Sequence, residues 1–144
     1  IIIDAPAGVM GHNILDFLRQ IDTILIPVLP SHIDIHATAR FIEDLLIIGK
    51  VRQRGIHVGV VANRVKKNTN VYSALERFLD TLKLPFIANL RDTQHYVRAA
   101  GQGIGIHEMW DYRAKVDQKD WDPIFDWLEN EAAVEPSSAV KRVV

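Results

Sequence analysis

The first nine residues constrain the fold of this chain more than any other stretch. Residues 1–3 are three consecutive isoleucines, a pattern that predicts a strand buried on both faces, as in the centre of a parallel sheet. Asp4 ends this run, and Pro6 and Gly8 then force a turn. Ligands of open α/β sheets bind just beyond the carboxyl ends of the strands, so Asp4 is predicted to lie at such a binding edge.

The remaining strands and helices are predicted to alternate along the chain. Continuous apolar runs at 23–28, 56–62 and 85–90 predict strands, and helical periodicity predicts helices at 13–21, 34–54, 71–82, 93–101 and 122–132. Pro27 is expected near the end of its strand, and Gly55 is expected to end the long second helix. Strands that alternate with helices over short loops predict right-handed βαβ units in one α/β domain over 1–132, followed by a flexible tail at 133–144.

Composition excludes several classes of function. The chain of 144 residues has 17 basic and 18 acidic residues, so charge alone predicts no strong sequence-independent attraction to nucleic acid. It has no cysteine, which excludes disulfides and thiolate metal sites. No apolar run approaches the roughly 18 residues of a membrane span, and a cytoplasmic protein is the default expectation. Because a buried α-ammonium is costly, we expect residue 1 to lie within a longer protein.

Motifs in a fixed order carry a resemblance to a known family. The opening segment resembles the Walker B and switch II segment of the ParA/MinD group of ATPases, which belong to the P-loop NTPases. Further matches follow in the family's order over about residues 1–110: Leu25-Ile26-Pro27-Val28 before Pro30-Ser31 and Asp34, Gly59-Val60-Val61 before Asn63-Arg64, and Arg91-Asp92 before Ala100, Gly103, Ile106 and Glu108. The resemblance implies a doubly wound parallel sheet of the P-loop NTPase type, incomplete at its N-terminal side.

The resemblance also implies roles for six residues. Asp4 would be the Walker B carboxylate that holds Mg²⁺ through water, and Gly8 would belong to the switch that senses the γ-phosphate. Asn63 would bind the adenine edge, because a side-chain amide offers a donor and an acceptor together. Arg64 would line the base pocket or the dimer seam. The other side of the base would be closed by Arg91 and Asp92. From the residues alone, a plain polar strand exit is favoured for Asn63-Arg64, and Asp92 or Thr93 is a candidate helix cap.

One family motif has no counterpart in these residues. The Gly-rich phosphate loop, with its two lysines and surrounding backbone N–H groups, is not found, and Gly49-Lys50 is the only Gly-Lys pair. The switch I aspartate of the family is missing as well. We therefore expect the chain to be the carboxyl-terminal part of an ATPase that is inactive as this fragment. Without the phosphate-loop strand, the sheet is expected to pair with another segment or to expose edges that invite association.

The resemblance implies a homodimer that ATP and Mg²⁺ assemble, an activator protein of the ParB type, and contact with nonspecific DNA. Partition of plasmids or chromosomes, or the positioning of other cargo, is the function favoured within the family. A MinD-like division-site ATPase is the first alternative, but the tail has too little apolar surface for a membrane-binding helix. A non-catalytic ParA-like scaffold is the second alternative, and the missing phosphate loop is its only support.

Other chemistries are less favoured by the sequence. His32 and His36 lie four residues apart, but no third metal ligand is evident. The glycines at 101, 103 and 105 follow a predicted helix, whereas a dinucleotide-binding fingerprint follows a strand. The three tryptophans, Trp110, Trp121 and Trp127, are expected to pack in the fold rather than to form a ligand platform.

Overall fold

The fold is a parallel β-sheet with helices on both faces, in a computed structural model that describes residues 1–5, 12–133 and 142–143. The strands are β1 (Thr23–Val28), β2 (His57–Val65), β3 (Phe86–Arg91) and β4 (Arg142–Val143), in the spatial order β3-β2-β1-β4. The helices are α1 (His12–Leu18), α2 (His32–Ile47), α3 (Asn70–Thr81), α4 (Gln94–Gly101), α5 (Lys115–Lys119) and α6 (Asp122–Ala133). Two 3₁₀ turns, Ile106–Glu108 and Tyr112–Ala114, precede α5. The predicted α/β class is confirmed.

Alternate residues of the central strands supply two apolar cores, one on each face of the sheet. On the first face Ile24, Ile26, Val58 and Val60 pack with residues of α1, α2 and α3. On the second face the core consists of Leu25, Val61, Ala88, Leu90 and Ile124, with Trp121 and Trp127 against it. Successive side chains of a strand point to opposite faces of the sheet, and here helices cover both faces. The central strands are therefore apolar at consecutive positions.

The pairing between strands fixes where the carboxyl ends of β1, β2 and β3 lie. Every pair is parallel, with Thr23 opposite His57 and Val28 opposite Ala62. Between β2 and β3 the register shifts after Ala62, because Ala62 faces Asn89 while Val65 faces Arg91. Three steps along β2 thus oppose two along β3, which is a β-bulge at Asn63 and Arg64. β2 thus continues past the apolar run 56–62 and ends at Val65, within the segment 63–65 where the strand was expected to finish.

The long second helix ends earlier than predicted, at Ile47 rather than near Gly55. A Cβ at Gly49 would lie 2.6 Å from the Leu18 Cδ1 atom and 2.7 Å from the Leu45 carbonyl oxygen, so the chain turns here through a position without a side chain. Lys50 follows with φ of 48°, and Val51 is then fully buried. The helix thus ends just before a glycine, the residue that most often follows a helix C-cap.

The predicted first strand is not part of the sheet. Residues 1–5 have no regular secondary structure, and the side chains of Ile1 and Ile2 are 77% and 73% exposed. Ile3 packs against the first core, but three residues can form few ladder hydrogen bonds. Among the described residues, the outer edge of β1 pairs with Arg142–Val143, at Thr23 and Ile24. The predicted tail 133–144 is described only at Ala133, which ends α6, and in β4.

The described helices are short. The longest, α2, has 16 residues, and no helix in the described part of the chain is long and apolar enough to cross a membrane.

Candidate functional site

A cavity of about 520 Å³ opens at the carboxyl ends of the central strands, on the face of the sheet that carries α6. Its polar lining contains all four residues that the sequence predicted to bind the base, together with one neighbour: Asn63, Arg64, Arg91, Asp92 and Thr93. The rest of the wall is apolar or aromatic: Leu25, Pro27, Val61, Leu90, Tyr96, Val97, Trp121 and Ile124. The position agrees with the rule for open α/β sheets, whose ligands bind beyond the strand ends.

The β-bulge in β2 directs Asn63 and Arg64 into this site. Arg64 has φ of 53°, a left-handed conformation that is costly for a residue with a Cβ and that often marks functional positions. The Arg64 backbone N–H donates to Asn63 Oδ1 at 2.9 Å, which fixes the orientation of the amide. Asn63 Nδ2 has no hydrogen-bond acceptor among the described residues. The bulge thus presents an oriented amide with a free donor.

Asp92 is neutralised by two basic side chains. Lys66 Nζ lies 3.1 Å from Asp92 Oδ2, and Arg64 Nε lies 3.4 Å from Asp92 Oδ1. The hydrogen bond and charge of Lys66, with a further contribution from Arg64, hold the pKa of Asp92 below its usual value, although partial desolvation opposes them. The Asp92 carboxylate is therefore ionised and paired, and it contributes little free charge to the cavity.

Thr93 is a site residue that the sequence marked only as a possible helix cap. It is the N-cap of α4, with extended backbone angles, but its side chain makes no capping hydrogen bond. Its Oγ1 atom is buried and has no hydrogen-bond partner among the described residues. Buried hydroxyl groups are nearly always hydrogen-bonded, so an unpartnered one in a cavity wall is suited to a ligand atom. A sequence-level signal existed, since Thr93 directly follows two candidate site residues.

Arg91 is held by carboxylates from α5 and from the residue after it. Arg91 Nη2 donates to Asp117 Oδ1 at 2.7 Å, and Arg91 Nε donates to Asp120 Oδ2 at 2.8 Å. Burial, the largest influence, lowers the pKa of Arg91, but the hydrogen bond and charge of Asp120 and the charge of Asp117 together raise it above its usual value. The prediction placed Arg91 against the base. The structure places Arg91 in the cavity wall, with its guanidinium occupied by two acidic partners.

Trp121, which the sequence assigned to packing, and Tyr96, which it did not single out, form one wall of the cavity. Trp121 Nε1 donates to the Tyr96 hydroxyl at 3.1 Å, and the Trp121 and Phe125 rings stack with centroids 6.2 Å apart. Burial, reinforced by the charges of Asp117 and Asp120, raises the pKa of Tyr96, although the Trp121 hydrogen bond and Arg91 oppose this. Trp110, by contrast, is fully exposed, so the packing prediction is wrong for that residue.

Asp4, unlike the four residues predicted to bind the base, does not line this cavity. Asp4 is exposed in the segment 1–5, and Gly8 lies outside the described residues. In the described ranges no group of three or more His, Cys, Asp or Glu side chains is arranged to hold a metal ion. A role for Asp4 in holding Mg²⁺ therefore stays a prediction.

The donor set of the cavity fits an uncharged heteroaromatic ring. Asn63 Nδ2 and Thr93 Oγ1 are available for hydrogen bonds, while Asp92 and Arg91 are already paired. Tyr96 and Trp121 provide flat surfaces on which a ring can stack. A mostly apolar cleft with a few convergent polar groups is typical of small-molecule sites. The base of ADP or ATP satisfies these conditions.

Comparison with known proteins gives matches at the level of structure. No family model matches the sequence, and no curated protein matches it. Among solved structures, the MinD cell division protein of Aquifex aeolicus superposes with a TM-score of 0.65 and 23% sequence identity, over 96% of this chain and 54% of that chain. The chain thus spans about half the length of the MinD chain that it matches. It has the fold of the matched part of that MinD chain.

Proposed function

We propose that this chain is the carboxyl-terminal part of a ParA/MinD-type ATPase and supplies the base-binding half of an ATP site. The observation that carries the proposal is the convergence of Asn63, Thr93, Tyr96 and Trp121 on one cavity at the carboxyl ends of β1, β2 and β3. The motif order in the sequence and the fold shared with MinD support the same family.

The proposed role of each cavity residue follows from its hydrogen-bonding capacity or its aromatic surface. Asn63 Nδ2 donates to a ring nitrogen, and Thr93 Oγ1 is both a donor and an acceptor, so it accepts from an amino group. Tyr96 and Trp121 stack on the ring, and their burial excludes water from it. Arg64, whose side chain is 68% exposed, stands at the rim where a second subunit would approach.

The phosphate end of the site rests on residues from the start of the chain. Asp4 would hold Mg²⁺ through water, and the backbone N–H of Gly8 would contact the γ-phosphate. Bound Mg²⁺ supplies charge neutralisation for the transferred phosphoryl group. These two roles derive from the resemblance alone, and they require a phosphate loop from outside these 144 residues.

At the level of the cell, the protein would act as an ATP-dependent dimerisation switch in the cytoplasm. ATP would join two copies, and an activator of the ParB type would stimulate hydrolysis and release them. Partition of DNA, or positioning of other cargo, is the proposed output, with nonspecific DNA as a further partner. Two alternatives remain: a MinD-like role in cell division, and a scaffold that binds no nucleotide.

A binding experiment on the protein expressed from its complete reading frame tests the proposal. We expect ADP to bind, and Asn63→Ala to weaken binding about tenfold, because the loss of one hydrogen bond to a buried ligand atom costs about 1–1.5 kcal/mol. Isothermal titration calorimetry measures both dissociation constants.

Asn89→Ala is the matched control for this experiment. Asn89 is also a half-buried asparagine of the sheet, but it contacts the Tyr72 hydroxyl and lines a different cavity. We expect it to leave ADP binding within about twofold, well inside the roughly tenfold effect expected of one lost hydrogen bond. If the wild-type protein binds neither ADP nor ATP, the ATPase proposal is wrong and the scaffold alternative gains support.

A further inference from the structure

The short helix α5 and the residue that follows it contribute two carboxylates that bind a wall residue of the proposed base site. Asp117 and Asp120 both bind the guanidinium of Arg91, which lies 26 and 29 residues earlier in the chain. The sequence predicted neither a helix nor a strand for this segment, yet its acidic residues contact the strand end at Arg91, which lines the cavity.

Asp117 is buried to an unusual degree for a carboxylate. Its side chain is 1% exposed, and both of its oxygens are used. Oδ1 accepts from Arg91, and Oδ2 lies 2.5 Å from His95 Nδ1. A buried carboxylate is costly unless it is paired and hydrogen-bonded, so the arrangement is held in place by its own partners.

The two carboxylates together fix the orientation of the Arg91 guanidinium. Arg91 Nη2 donates to Asp117, and Arg91 Nε donates to Asp120. Two neighbouring N–H groups of the planar guanidinium are therefore hydrogen-bonded to α5 and to the residue after it. Arg91 nevertheless remains a lining residue of the cavity, and its side chain is 36% exposed. Without these partners, the guanidinium would be free to turn toward a ligand in the cavity.

We propose that Asp117 and Asp120 are positioning residues that set base specificity by keeping the Arg91 guanidinium away from the ring. This proposal rests on the proposed function, since it concerns the same cavity. A free guanidinium is a strong donor to a 6-oxo group, and arginine binds the oxygen and adjacent nitrogen of guanine in this way. A 6-amino group offers no such acceptor. With Arg91 clamped, Thr93 Oγ1 accepts from a 6-amino group, and no free guanidinium is left to bind a 6-oxo group.

The experiment compares ADP with inosine diphosphate, which differs in having a 6-oxo group. Dissociation constants for both are measured by calorimetry on the protein from its complete reading frame, as wild type and as Asp117→Asn and Asp120→Asn. We expect the preference for ADP over inosine diphosphate to fall at least fivefold in each variant. Asp126→Asn is the control, because Asp126 is an exposed carboxylate of α6 outside the cavity lining, and its preference should equal that of wild type.

Arg91 variants separate positioning from simple loss of structure. In Arg91→Gln no guanidinium is present to be released, so adding Asp120→Asn to it should not change the preference further. General damage to the fold would weaken both nucleotides alike and leave their ratio unchanged. Thermal unfolding of each variant identifies any that does not fold. Asp120, whose side chain is 22% exposed, provides the test if Asp117→Asn proves unstable.

Each outcome bears on a distinct claim. If wild type binds ADP and the folded Asp120→Asn variant keeps the wild-type preference, the clamp proposal is overturned while the ATPase proposal stands. If Asp120→Asn lowers the preference for ADP equally in the wild-type and Arg91→Gln backgrounds, the carboxylate does not act through Arg91, and the clamp proposal is again overturned. If wild type binds no purine nucleotide, the proposed function fails, and the specificity proposal fails with it.

Discussion

At the scale of single residues, the cavity is defined by which polar groups are already satisfied. Asp92 is paired with Lys66, and Arg91 is paired with Asp117, so formal charges in the wall are compensated. Asn63 Nδ2 and Thr93 Oγ1 remain without partners in the described chain. A site with compensated charges and free neutral donors is suited to a base rather than to a phosphate.

Tyr96 gives a prediction at this scale that needs no ligand. Burial raises its pKa, so the folded protein keeps the phenol neutral at a pH where a free tyrosine, with a pKa of about 10, is ionised. Since the folded-state pKa is the higher one, Tyr96 adds stability below about pH 10, and this is lost as the pH rises through the folded-state value.

Ultraviolet absorbance of the phenolate during an alkaline titration measures this effect. We expect Tyr96→Phe to remove a component that titrates above the pH of a free tyrosine. Denaturant unfolding of both proteins at rising pH should show the wild type losing stability more steeply than the variant. If the difference between the absorbance titrations of wild type and Tyr96→Phe is that of a tyrosine with an ordinary pKa of about 10, burial does not raise the pKa of Tyr96.

At the scale of elements, periodicity predicted regular structure well where each element carries its own signal. Helix α3 and strand β1 lie within a residue of their predicted ranges, because an apolar stripe and a continuous apolar run are local properties. The end of α2 was missed because the prediction chose Gly55 over Gly49 as the glycine that ends the helix, and the tight contact of Gly49 with Leu18 is a tertiary one. The strand at residues 1–3 was predicted on local grounds too, yet it lies outside the sheet.

Gly49→Ala tests the physical reason for the early end of α2. The added Cβ would meet the Leu45 backbone and the Leu18 side chain, and such overpacking costs about 1–3 kcal/mol of the free energy of unfolding. Gly101→Ala is the control, because a Cβ there meets nothing within 4 Å. We expect that control to be neutral or slightly stabilising in urea unfolding. Equal stability of the two variants would show that Gly49 is not packed as described.

The same distinction between local and distant information applies to the site. Asn63, Arg64, Arg91 and Asp92 were predicted because each stands at a strand end with a recognisable sequence pattern. The partners of Arg91 were not predicted, because Asp117 and Asp120 are ordinary acidic residues in a polar stretch and only the folded chain brings them to the strand. Thr93 was named as a cap, and its unpaired hydroxyl follows from burial, which a sequence does not display.

At the scale of the whole molecule, the cavity and the lateral edges of the sheet lie in different positions. The carboxyl ends of β1, β2 and β3 surround the cavity, whereas β3 and β4 are the lateral strands of the sheet in the described part of the chain. Among the described residues, β4 is a two-residue partner for β1. The MinD chain that superposes on this one is about twice as long as the matched region, and a phosphate loop would have to come from outside these residues.

A crystal structure of the complete reading-frame product with ADP would show whether the cavity between Asn63 and Trp121 holds an adenine base. We expect a base in this cavity, with Asn63 Nδ2 and Thr93 Oγ1 within hydrogen-bond distance of the ring, Tyr96 or Trp121 against its face, and Arg91 still bound to Asp117. Density for ADP at another place, or a base in this cavity that contacts neither Asn63 nor Thr93, would contradict the proposed adenine site.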